Sequence, residues 1–273
     1  MGLLVCRAVR DNDPVSETIS PPVKPADSTA VRVAEVLLAF GAAAAPMGIT
    51  EVARATHLSK AVVHRIVQTL CTTDLLVQDA HTRKYQLGMA AFTLADTAAQ
   101  TSLFRSASLD ILATLAEQAG ETTTLSGRIG HRRVYLAQME SRQLVRISVK
   151  LGAPFPLTVG ASGAAILAHL PQAEAEAALH TPMERYSAST VTDPEQIRQR
   201  MRFVRENGFA RTTGERVEDS TGFAAPVFNP AGEVLGAISI AALTSRLTPT
   251  RESSLATQVK EAAATLTTRL RDR

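Results

Sequence analysis

Six residues of the stretch Ser59-Lys60-Ala61-Val62-Val63-His64-Arg65-Ile66-Val67-Gln68-Thr69-Leu70 have the types and spacing to touch a polyanion. Val63, Ile66, Val67 and Leu70 fall at i, i+3, i+4 and i+7, one apolar face of a helix. At ~100° per residue the opposite side collects Ala61, His64, Arg65 and Gln68, with Ser59 and Lys60 at the start. Such donors reach base edges and phosphates in a DNA groove. The competing reading is an ordinary helical hairpin whose polar face meets water. A second basic pair, Arg83 and Lys84, lies between two short apolar runs, suited to phosphate or minor-groove contact. A third stretch, Gly160-Ala161-Ser162-Gly163-Ala164, opens a helix with small residues. Amides left free there, and the positive end of the helix dipole, favour an anion; the alternative is that small residues only permit close helix–sheet packing.

The elements that position these groups are legible around them. Gly48 to Leu70 reads as two short helices, the first with Ile49, Val52 and Ala53 inward and Thr50 as its N-cap. The turn is Thr56-His57-Leu58, and Ser59 caps the second helix, Ser59–Cys71. Leu75–Gln78 and Lys84–Leu87 are short strands around Asp79–Arg83. A helix pair followed by a basic hairpin is a winged helix-turn-helix, with Ser59–Cys71 as its recognition helix.

Composition bounds the rest. At 273 residues the chain is long for one compact domain, and two are expected. Apolar residues make up 45%, with aromatics at only 4%, so the cores rely on Ala, Leu, Val and Ile. The formal charge is +3, yet residues 1–100 hold nine basic and nine acidic side chains. Bulk charge therefore does not announce nucleic-acid binding, and placement has to carry it. Cys6 and Cys71 offer neither a disulfide framework nor zinc spacing, and Cys71 reads as a small packed thiol. No run suggests a signal peptide or a membrane span, which fits a reducing cytoplasm.

Along the chain, residues 1–27 are rich in Pro, Asp and Ser and read as a disordered leader. Ser28-Thr29 opens a helix through Phe40, ended by Gly41 and Pro46. Met89 to Thr101 is a linker helix. From Phe104 a second domain begins with a helix over Leu109, Leu112, Leu115 and Ala116 to Gly120. Strand-like runs follow at Thr122–Ser126, Arg133–Met139 and Leu144–Val149, then a Pro-rich bend at Gly152–Pro156. His131, beside Arg132 and Arg133, reads as an exposed turn. Helices follow at Gly160–Leu170, after Pro171, and from Pro194 to Asn207. Phe223–Phe228 and Val234–Ala241 form a hairpin around Asn229–Gly232, and a last helix fills Pro249 to Leu270. Strands between flanking helices give an α+β fold with an antiparallel sheet.

In this order the chain resembles the IclR family of bacterial transcription regulators over residues 28–270. The resemblance rests on Tyr85-Gln86-Leu87-Gly88, on Leu151-Gly152 through Phe155-Pro156-Leu157 into Ala161–Ala168, and on Ala225-Pro226-Val227-Phe228 with Gly232 and Ala237–Ile240. It implies a winged helix-turn-helix domain at 28–88, a linker helix at 89–104 and a GAF-like effector domain at 105–273. It further implies a homodimer or dimer of dimers that binds double-stranded operator DNA and a small organic acid, more often as a repressor. By position the effector pocket would draw on Ala161, Ser162, Gly163, Thr212, Glu215, Gly222 and Ser239. Leu144, Ile147 and Leu157 would be its apolar walls.

Three departures from the family matter. Ala61 and Val62 stand where a small hydroxyl pair is usual, which shifts base reading towards His64, Arg65 and Gln68. His57 and Asp74 occupy turn positions usually held by glycine; both types tolerate the left-handed region. Gly222 and Ala241 replace polar residues of some relatives, implying a less polar or larger pocket and an acid of more than two carbons.

Enzyme readings are weak. Gly160–Ala164 lacks the second glycine of a nucleophile elbow, and no histidine follows His180. The six histidines show no metal-binding spacing. No catalytic residue, metal or cofactor is expected. The alternative kept open is a small-molecule-binding or catalytic GAF-like domain carrying a non-functional helix-turn-helix.

Overall fold

The computed structural model describes residues 28–43 and 45–272; the expected leader, with Cys6, lies outside them. Helices α1 (Thr29–Ala42), α2 (Ile49–Thr56) and α3 (Lys60–Thr72) precede a two-stranded ribbon, β1 (Leu76–Gln78) and β2 (Tyr85–Leu87). Val36, Phe40, Val52, Val63, Ile66, Val67, Leu70, Leu76 and Tyr85 form their common core. Burial of each large apolar side chain contributes ~1.5–3 kcal/mol, so the α3 stripe alone orients that helix.

Three local expectations change. Gly41 lies inside α1, which ends when Ala43 turns extended at ψ 141°. Gly48, not Thr50, is the N-cap of α2, because the Glu51 carboxylate reaches back to accept the Gly48 amide at 2.6 Å. The wing strands are also a residue shorter at their starts than the sequence suggests. The two turn positions behave as their residue types allow, His57 at φ 56° and Asp74 at φ 54°. Gly88 is required by close approach: a Cβ there would stand 2.1 Å from the Asp74 carbonyl oxygen.

Helices α4 (Met89–Thr101) and α5 (Leu103–Ser106) lead to α6 (Leu109–Ala119), which Gly120 closes in the left-handed region. A six-stranded antiparallel sheet follows, with strands β3 (Thr122–Ile129), β4 (Arg132–Met139), β5 (Pro154–Pro156), β6 (Ala210–Thr213), β7 (Ser220–Phe228) and β8 (Val234–Leu243) in the order β5-β4-β3-β8-β7-β6. Helix α10 (Pro249–Arg271) packs with α6 on one face, against Leu125, Phe223, Val227, Ile238 and Ile240. The other face carries α7 (Gly160–Leu167), α8 (Gln172–Leu179) and α9 (Pro194–Asn207), against Ala210, Ala224 and Ala237. No helix among the described residues is long and apolar enough to cross a membrane.

The sheet corrects the sequence reading in three places. Leu144–Val149 is not a strand. It runs irregularly, pinned where Thr122 donates to the Ile147 carbonyl at 2.6 Å and Gln138 accepts the Val149 amide at 3.0 Å. The Pro-rich bend contains edge strand β5, paired with β4 in the register Arg133↔Phe155. Proline cannot donate to a ladder and is admitted at an edge. The Thr212-Thr213-Gly214-Glu215 segment, absent from the strands read in the sequence, begins as the opposite edge strand β6, with Thr212 across from Gly222.

One irregularity decides which β4 side chains reach the α7 face of the sheet. Between Leu125 and Ser126 the β3–β4 register slips by one residue: Leu125 faces Ala137, whereas Ser126 faces Tyr135. The extra residue, Leu136, reverses the alternation of β4. Ala137 thus joins the α6–α10 core, while Tyr135 and Arg133 turn to the α7 side.

Candidate functional site

Two groups of side chains meet the requirements set by the sequence. On α3 the Ser59 hydroxyl accepts the Val62 amide at 3.4 Å and fixes the helix start. Lys60, Ala61, His64, Arg65 and Gln68 are all exposed along the face opposite Val63, Ile66 and Leu70. Lys60, His64 and Arg65 make no side-chain hydrogen bond or ion pair among the described residues. Gln68 differs, since its amide donates to the Tyr85 hydroxyl at 3.4 Å and couples α3 to the wing.

The wing tip is built by Asp79. Its carboxylate accepts the His81 amide at 3.0 Å, the Thr82 amide at 2.7 Å and the Thr82 hydroxyl at 2.9 Å. These bonds, the Thr82 amide foremost, hold the Asp79 carboxyl below its ordinary range. Arg83 follows at φ 58° with its side chain exposed. Lys84 is not a free cation: its ammonium pairs with Glu51 at 3.1 Å and ties the wing to α2.

The second group surrounds a cavity of about 50 Å³ between the sheet and the start of α7. Ala161, Ser162, Thr212, Glu215, Gly222 and Ser239 all line it. Gly163 does not. A Cβ there would lie 2.5 Å from the Leu157 carbonyl oxygen, so this glycine serves close packing of α7 on the preceding turn. Ser239 and Thr124, opposite each other on β8 and β3, share a 2.6 Å hydrogen bond. At Gly222 a Cβ would meet that of Ala161 at 3.3 Å, so the missing side chain lets α7 approach the sheet and does not enlarge the pocket.

Of the expected apolar walls, Ile147 lines the cavity. Leu144 is 98% exposed and Leu157 is buried under α7.

The α7 N-terminus is partly occupied by the chain itself. Glu215, 4% exposed, accepts the Gly160 amide at 2.8 Å and the Arg200 Nη1 proton at 3.2 Å, with Arg200 Nη2 on its other oxygen. One amide read from the sequence as open to a ligand is therefore taken.

Sequence reasoning missed four side chains. Arg133, read from the sequence only as the first residue of the strand-like run Arg133–Met139, is 1% exposed. Its guanidinium carbon lies 4.6 Å from the Tyr135 ring centroid and 5.5 Å from that of Phe155. Arg216 stacks on the same rings at 5.2 and 4.7 Å. Burial would raise the Tyr135 phenol, but the two guanidiniums outweigh it and hold the hydroxyl below its ordinary value. Arg216 is itself held low, by burial first, with Arg133 adding repulsion and Tyr135 opposing it. The Arg133–Tyr135 alternation on a run flanked by polar turns was the one available signal, and the bulge hid its direction.

The chain matches known proteins over both regions. Residues 29–80 match the IclR helix-turn-helix domain, and residues 96–268 match the family described as bacterial transcriptional regulator IclR C-terminal. It is similar to the transcriptional regulator KipR of Bacillus subtilis, 30% identical over 79% of this chain and 86% of that protein. The transcriptional repressor AllR of Klebsiella pneumoniae is 26% identical over 81% of this chain and 82% of its own. An IclR transcriptional regulator of Alicyclobacillus acidocaldarius superposes with a TM-score of 0.76 at 26% identity, covering 89% of this chain and 98% of that one. With an IclR C-terminal match over more than half its length behind an IclR helix-turn-helix, the chain belongs to the IclR family of bacterial transcriptional regulators.

Proposed function

We propose that the protein is a cytoplasmic repressor that reads a two-fold related operator through α3 and releases or retains it according to a small organic acid bound beside α7. The observation that carries this reading is the exposed, unpaired row Lys60, His64 and Arg65 on a helix whose other face is locked in the core. Ser59, Ala61, Gln68, Arg83 and Lys84 complete the proposed DNA surface. Arg65 and His64 serve base edges, and Arg83 serves phosphate. A two-fold related site calls for at least a homodimer, and a dimer of dimers would span two such sites.

Ala161, Ser162, Thr212, Glu215, Gly222 and Ser239 line the proposed effector cavity, with Gly163 supporting it from behind. Hydroxyls, helix amides and guanidiniums converging on one small space form a site for an acid. The effector changes operator affinity only by as much as it distinguishes two arrangements of the DNA-binding heads. Helix α4, with Met89, Phe92 and Leu94 exposed, is the proposed lever between the domains at 28–88 and 105–273 and a surface for the partner subunit.

Footprinting on the promoter beside the protein's own gene, with and without acids chosen from neighbouring catabolic genes, tests this. A salt-sensitive footprint altered by one such acid is the expected result. Turnover or tight ligand binding with no footprint would instead support an effector-domain protein whose helix-turn-helix is non-functional.

A further inference from the structure

The effector cavity holds more positive charge than its own residues use. Arg133 is almost fully buried, yet its Nε and Nη1 have no hydrogen-bond partner. Arg216, half-buried beside it, forms no hydrogen bond or ion pair among the described residues. Glu215 is the one acidic side chain lining the cavity, and its oxygens are committed to Arg200 and the Gly160 amide. Stacking on Tyr135 and Phe155 satisfies the faces of the two guanidiniums. Nε and Nη1 of Arg133, in-plane donors of the kind that bind carboxylates in pairs, are left unused. A buried cation without a counter-ion is retained in a fold when something else supplies the anion.

Position adds to charge. A Cβ on Gly160, which sits at φ 74°, would be 3.4 Å from Arg133 Nη2, so this guanidinium stands at the N-terminus of α7. An anionic group there meets Arg133 and the first-turn amides that follow Gly160, whose own amide Glu215 occupies. Arg216 stacks on the same two rings, each guanidinium within 6 Å of both centroids. One carboxylate can neutralise one of these cations and leaves the other without a counter-ion.

Resting on the reading of this cavity as the effector site, we infer that the effector carries two carboxylates on a short skeleton, one for Arg133 at the helix N-terminus and one for Arg216. The cavity of about 50 Å³ is smaller than such a molecule, so its binding requires the arginine side chains to rotate off the rings. Arg216 is the specificity-determining residue in this arrangement. Arg133 holds the carboxylate that any acid at this site must have.

The test is calorimetric titration of the full-length protein with malonate, succinate, glutarate and phthalate, each beside its monoamide, and with inorganic phosphate. At least one diacid should bind tenfold or more tightly than its monoamide. R216Q should reduce that diacid to the level of the monoamide, and R133Q should weaken both. An unchanged circular dichroism spectrum and a cooperative thermal transition show that each variant is folded. Monoamides that bind within twofold of every diacid, a preference unchanged in R216Q, or binding of phosphate alone would overturn the inference. Monoacids that bind and are lost in Ser162→Val would overturn it while leaving the effector-site reading intact. Failure of every acid to bind would overturn both.

Discussion

The Glu215 carboxylate accepts the Gly160 amide at 2.8 Å, so the start of α7 is capped by an anion from the β6–β7 connection, 55 residues downstream. The same carboxylate neutralises Arg200, which is 15% exposed. It therefore occupies the positive end of the helix, where the proposed effector would bind, and supports the fold at once. Glu215→Gln should separate these roles. Loss of the buried pair should lower stability by ~3–5 kcal/mol, read by thermal denaturation. Removal of the negative charge should raise the affinity of anionic effectors, read by titration. Stability and affinity falling together would show that Glu215 only orders the pocket.

Arg65 and Arg83 should fail in different ways. Arg65→Ala removes a donor from the helix face proposed to meet base edges, so sequence preference should fall by ~1–3 kcal/mol per affected position. Arg83→Ala removes a wing cation, so affinity should drop for all sequences alike and the salt slope should shrink by ~1. Competition binding with operator and unrelated DNA at several salt concentrations separates the two. Unchanged operator affinity in Arg65→Ala would remove α3 from its proposed role.

Gly163 is assigned to packing. A methyl group there would be 2.5 Å from the Leu157 carbonyl oxygen, which is backbone and cannot move aside like a side chain. Gly163→Ala should cost ~1–3 kcal/mol of stability as an overpacked contact. Because the residue does not face the cavity, the preference among bound acids should be the same as in the parent protein.

Tyr186 provides a pH signature. Burial first, then its 2.7 Å hydrogen bond to Glu184, pushes the phenol up to about 12. The unfolded chain loses this proton near pH 10, so between pH 10 and about 12 the folded state binds the extra proton. Its contribution is fully present below pH 10 and is lost as pH rises through about 12. Tyr186→Phe should abolish that part of the alkaline decline, seen as a shallower fall in stability than the parent protein shows. Parallel curves above pH 10 would show that the hydroxyl is not held by Glu184 in solution.

Much of the architecture is a local property of the chain. The i, i+3, i+4, i+7 stripe of α3 fixes which side faces the core, and its complement fixes the exposed row from Lys60 to Gln68. Residue types at His57 and Asp74 admit the left-handed turns that join α2 to α3 and α3 to β1. Small residues at Gly160–Ala164 mark the close helix–sheet contact. These features depend on neighbours a few residues away, so periodicity and turn chemistry suffice.

The charge of the proposed effector cavity is not local. Alternation along β4 puts Arg133, Tyr135 and Ala137 on one face, and only the slip opposite Leu125 and Ser126 sends Ala137 to one core and Arg133 to the other side. Phe155 reaches the two arginines because a proline-flanked segment pairs at the sheet edge, where a missing N–H costs nothing. Glu215 is spent on Gly160 and Arg200, partners 55 and 15 residues away. The sequence by itself determined a winged helix-turn-helix joined to an α+β domain with an anion-favouring helix start. The tertiary structure alone decided that two guanidiniums converge there unpaired, because strand register and edge pairing are set by contacts between distant segments and not by the residues at the site.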